Sequence, residues 1–189
     1  MGAITDDKKI YDQYAVDYFK QRGWKAFPVA KTGRYADVVA LRGKDLAIVE
    51  VKSPKETSAV KTYDDSANLS ARLEREIGGY LKETRQKVFD LFPETGKSIH
   101  KLYAVTIASQ IYRYLYEFDE RVGEYERAVN GGLRLNGNRL NKFTYLIVPS
   151  ENSSEPREAL DCLRKNHYVY SYTLDPAGKI VVLNFSYRG

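Results

Sequence analysis

The chain has 189 residues, 43% hydrophobic and 29% charged, the balance of an ordinary globular domain large enough to bury a core. Its net charge of +5 permits a phosphate-binding surface without requiring one. No apolar run is long enough for a membrane span, Cys162 is the only cysteine and excludes an internal disulfide, and the first nine residues lack an apolar leader region, so an intracellular, cytoplasmic protein without membrane contact is expected.

In chain order, the spacing predicts a first helix over 7–22, with Ile10, Tyr14, Val16, Tyr18 and Phe19 on its apolar side and Gly23 as its stop. A strand follows at 24–29, then the basic loop Lys31-Thr32-Gly33-Arg34-Tyr35. Two apolar runs then flank Arg42-Gly43-Lys44-Asp45, which reads as a hairpin turn with Gly43 first in the central pair. Residues 53–68 are polar, contain Pro54 and form a loop. Asn68 or Ser70 caps a long helix reaching about residue 92, followed by a strand over 101–107 and an aromatic-rich helix over 109–130. A loop bearing Arg134, Arg139 and Lys142 leads to a buried strand over 143–148 and a helix over 155–166. Strands over 168–174 and 179–185 form a last hairpin through Asp175-Pro176-Ala177-Gly178. With no repeat and no linker, residues 1–189 read as one α/β domain with a mixed central sheet flanked by helices.

The first hairpin carries the chemistry. With Gly43 and Lys44 as the loop, Arg42 pairs with Asp45, and counting outward sets Asp37 opposite Glu50. Opposed residues share a face, with Cβ atoms roughly 4.5–5.5 Å apart, and the two-residue period adds Lys52 to that face. Two facing carboxylates destabilise a sheet unless something compensates, and a hard divalent cation such as Mg²⁺, bound by both, is the natural compensation. The near-continuous apolar run from Leu46 to Val51 predicts a strand buried on both faces, where an idle charged residue is rare.

Ala36-Asp37 followed by Glu50-Val51-Lys52 resembles the active-site hairpin of the PD-(D/E)XK, or restriction endonuclease-like, nuclease superfamily. The segment looks most like archaeal Holliday-junction resolvases and small restriction-type endonucleases, over roughly residues 8–55. Ala36 stands where the family has proline, at a variable position without chemistry. The resemblance implies a restriction endonuclease-like core and a Mg²⁺-dependent DNA endonuclease, with Mn²⁺ as substitute. It implies Asp37, Glu50 and Lys52 as catalytic residues, with metal held by Asp37, Glu50 and the Val51 carbonyl. Asp12, about three turns before Gly23, corresponds to a helix acid, usually Glu, that adds an outer metal contact. Thr32-Gly33 corresponds to a Ser-Gly beside the scissile phosphate.

The basic residues Lys31 and Arg34, with Lys55 and Lys61 beyond Lys52, leave the same hairpin and are expected with Thr32 to contact DNA phosphates. A homodimer is the simplest way for so small a domain to cut both strands. Restriction-type, mobile-element and junction-resolving nucleases all fit. A non-catalytic DNA-binding or DNA-maintenance protein on the same fold is the alternative, and a structural protein whose acids form surface ion pairs is a third reading. P-loop, nucleophile-elbow and zinc patterns are absent from the sequence.

Overall fold

The computed structural model describes residues 6–30, 35–54, 113–114, 117–129, 132–135, 140–150 and 171–185. The expected elements over 68–92, 101–107 and 155–166 lie outside the described residues, as do Lys31, Thr32, Arg34, Lys55 and Lys61.

Helix α1 spans Asp6–Lys20. Gly23 ends it at φ 78°, with the Gly23 N–H donating to Lys20 O and the Trp24 N–H to Phe19 O. This pair of bonds is a Schellman cap, and it needs the left-handed backbone that glycine adopts without strain. The chain then enters a six-stranded sheet of β1 (Lys25–Pro28), β2 (Val38–Arg42), β3 (Asp45–Val51), β4 (Asn141–Pro149), β5 (Ser171–Leu174) and β6 (Ile180–Phe185). The strand order is β1-β2-β3-β4-β6-β5. Only the β3–β4 pair is parallel, so the sheet is mixed.

The first hairpin has the register read from its turn. Arg42 pairs with Asp45, and Val38 with Val49, which brings Asp37 and Glu50 one residue beyond the last ladder pair. Gly43 holds φ 61°, the conformation expected of the first loop residue. The last hairpin also forms as read, with Gly178 at φ 68° and Leu174 paired to Val181.

β3 is covered on both faces, which is why its apolar run is nearly unbroken. Ala47, Val49 and Val51 pack with Ala15, Val16, Tyr18 and Phe19 of α1 and with Ile147 of β4. Leu46 and Ile48 face the other way, toward Tyr114, Phe118, Tyr125 and Val129. Each Val, Leu or Ile among them, fully buried, contributes about 1.5–3 kcal/mol. The result is an α/β architecture with helical segments on both faces of the sheet.

Two details depart from the sequence reading. Ile10 is 47% exposed and belongs to no core. It precedes Phe19 by about two and a half helical turns, which points it away from the sheet that Phe19 contacts. The helix expected over 109–130 is interrupted: Phe118 begins a turn, Asp119–Arg121 form a 3₁₀ turn, and α2 covers Val122–Ala128. Asp119 and Glu120 are acids suited to a new helix start, and Gly123 is a weak helix former.

Candidate active site

The site forms where β2 begins and β3 ends. Asp37 stands just before β2, with its N–H bonded to Val49 O. Its side chain reaches across to β3, where Oδ2 accepts the Val51 N–H at 2.8 Å. Glu50 and Lys52 alternate with Val51 and therefore share the opposite face. The Lys52 ammonium donates to Glu50 Oε1 at 2.6 Å. The pair is well enclosed, with side-chain exposures of 13% and 7%.

Helix α1 supplies a residue that the sequence reading overlooked. Lys8 donates to Asp37 Oδ2 at 2.8 Å and also to the Val51 carbonyl oxygen. Its ammonium lies 3.6 Å from Asp12 Oδ1, one helical turn along. Lys8 and Asp12 continue the stripe that holds Ala15 and Phe19 in the core, at positions i, i+4, i+7 and i+11. That stripe was the available signal: the face that is apolar over the sheet turns polar where the helix passes the end of β3. Asp17, also on α1, accepts a hydrogen bond from Gln13 on the exposed side.

The opposite helical layer supports both carboxylates. The Tyr125 hydroxyl accepts the Ala36 N–H at 3.1 Å, fixing the backbone just before Asp37. Tyr125 is itself held by stacking with Phe118, ring centroids 4.8 Å apart. Tyr114 is buried beside Glu50, near enough to favour its ionised form. Glu50 Oε2 is nevertheless buried without a partner in hydrogen-bonding geometry.

The two acids titrate in opposite directions. Burial and then the charge of Glu50 push the Asp37 carboxyl up to about 7, against the pull of Lys8. Burial would also raise Glu50, but the Lys52 and Lys8 ammoniums and the hydrogen bond from Lys52 outweigh it, so Glu50 stays below the usual carboxylate range. One site thus holds a firmly ionised carboxylate beside one that is half-protonated near neutrality.

The donor set suits a hard divalent ion. Asp37, Glu50 and the Val51 carbonyl offer oxygens, Glu50 Oε2 is buried without a partner, and the Lys8 ammonium already stands as a cation on two of the three groups. Among the described residues no three His, Cys, Asp or Glu side chains converge as a metal group. A metal here would therefore draw on the backbone carbonyl and on water, which Mg²⁺ retains readily. Among the described residues no helix is long and apolar enough to cross a membrane. The chain matches no family model, no curated protein and no solved structure.

Proposed function

We propose that the chain is a metal-dependent DNA endonuclease of restriction endonuclease-like architecture, acting on phosphodiester bonds as a restriction-type, mobile-element or junction-resolving enzyme. The observation that carries this reading is the grouping of Asp37, Glu50 and Lys52 at one end of the hairpin, with a buried carboxylate oxygen left without a hydrogen bond. A burial of this kind is unfavourable unless a ligand, an ion or an ordered water completes it.

In this reading Asp37, Glu50 and the Val51 carbonyl would hold Mg²⁺ or Mn²⁺, with Asp12 as a further acid near them. Such an ion supplies Lewis-acid polarisation of the phosphoryl group and a more acidic water. The chain's own residues do the rest. Lys52 keeps Glu50 ionised and sets a positive charge where negative charge grows on the phosphoryl oxygens. Tyr125 fixes the backbone that aims Asp37. Lys31, Thr32, Arg34, Lys55 and Lys61 contact DNA phosphates, and two copies of the chain cut opposite strands.

A second reading has its own observation. Lys8 already neutralises Asp37, so the site suits a DNA-binding protein on the same fold that performs no chemistry. Incubation with supercoiled plasmid and with a synthetic four-way junction, in Mg²⁺ or Mn²⁺ and in chelator, separates the two. Metal-dependent cleavage that disappears in Asp37→Asn supports the nuclease. DNA binding without cleavage under every metal condition supports the second reading.

A further inference from the structure

The Lys8 ammonium touches the oxygens that the proposed metal would use. Asp37 Oδ2 and the Val51 carbonyl both accept from it, and Asp12 Oδ1 lies 3.6 Å away. The contact is built in rather than incidental. Lys8 is 14% exposed in its side chain, and α1 is fixed over the sheet by Ala15, Val16 and Phe19 two to three turns further on. The ammonium carries one positive charge and three donors, so it satisfies carboxylate and carbonyl oxygens much as a small cation does. An ammonium and a divalent ion cannot both sit on these atoms. Metal–oxygen contacts of about 2.0–2.1 Å leave no room for a donor on the same side, and the two cations repel at that separation.

We infer that Lys8 is a tethered competitor for the divalent-metal position: it occupies that position when metal is absent and must withdraw when metal binds. The inference rests on the metal site proposed above and adds its regulation. The device gives the part-buried Asp37 carboxylate and the Val51 carbonyl a cationic donor in the metal-free protein, where their partial burial would otherwise go uncompensated. It also sets a threshold, because the ion must displace a cation held at effectively high local concentration. Withdrawal moves the Lys8 ammonium out of the acid cluster into solvent.

The test is a calorimetric titration of Mn²⁺ into the full chain, wild type and Lys8→Met, the methionine keeping the apolar stem without the charge. Lys8→Met should bind Mn²⁺ at least about tenfold more tightly, since loss of a charge-assisted bond no longer opposes the ion. Equal or weaker binding by Lys8→Met, with wild type binding normally, would overturn the competitor role and leave the metal site standing. No binding by either protein would remove the metal site and the inference with it. Amine acylation of wild-type protein, read by mass spectrometry at Lys8, needs no variant. Lys8 should react faster once Mg²⁺ saturates the site, and a rate that is unchanged or slower at saturation would contradict displacement.

Discussion

Asp37 Oδ2 joins α1 to the end of β3, accepting the Val51 N–H and the Lys8 ammonium, each at 2.8 Å. One carboxylate oxygen thus ties together the strand that carries Glu50 and Lys52 and the helix that carries Asp12. Asp37 is accordingly a structural joint as well as a candidate ligand, and variants at this position need separate readouts for the two roles.

The raised Asp37 carboxyl makes metal-free stability depend on pH. Its folded value of about 7 exceeds the unfolded value near 3.8, so folding favours the protonated form. That contribution is fully present below about pH 4 and is lost as pH rises toward 7, on the order of 2–4 kcal/mol. Glu50 has the opposite sign, since its lowered value loses stability only as pH falls below the ordinary carboxylate range. Urea denaturation in chelator should therefore show stability falling between pH 5 and 7, and Asp37→Asn should flatten that fall. A wild-type curve that rises across this window would contradict the assignment.

Metal binding below neutrality should release a proton from Asp37, because a ligand carboxylate must be ionised. Titrations at pH 6 in buffers of different ionisation enthalpy should give observed heats that vary with the buffer. Identical heats in all buffers would mean that no proton leaves.

Lys52 is one half of an enclosed ion pair, so its removal strands the Glu50 carboxylate. Lys52→Met should destabilise the metal-free protein by about 3 kcal/mol. Added Mg²⁺ should recover part of this, because the ion replaces the lost positive charge. Nuclease activity should fall by orders of magnitude while DNA affinity persists, as expected when an interaction serves the transition state. Cleavage by Lys52→Met at the wild-type rate would rule out a chemical role.

Tyr125→Phe removes the acceptor for the buried Ala36 N–H and should lower stability by about 1–3 kcal/mol in thermal or urea unfolding. The aromatic stack with Phe118 should survive. A loss below about 0.5 kcal/mol would mean that the hydroxyl does not hold the backbone before Asp37.

Sequence alone made the hairpin legible because Gly43 defines the loop and the pairing then follows by counting. It also indicated that Glu50 and Lys52 share a face, since strand alternation is local. Lys8 was not legible. A lysine in the first turns of a helix ordinarily reads as solvated, and its contact with Asp37 depends on where α1 crosses the sheet end. Tyr114 and Tyr125 were hidden for a similar reason. They come from a segment more than sixty residues further along, in which aromatic residues fit core packing equally well. Ile10 was misjudged because the apolar stripe was drawn too wide before the docking of Phe19 fixed the helix's rotation.

The most direct test of the central claim, that Asp37 and Glu50 together hold a divalent cation, is calorimetric Mg²⁺ and Mn²⁺ binding to wild type, Asp37→Asn and Glu50→Gln, each checked for folding by circular dichroism. The account predicts one saturable divalent site in wild type and a loss of affinity of at least about tenfold in each variant. Folded variants that bind the ion as tightly as wild type would contradict it.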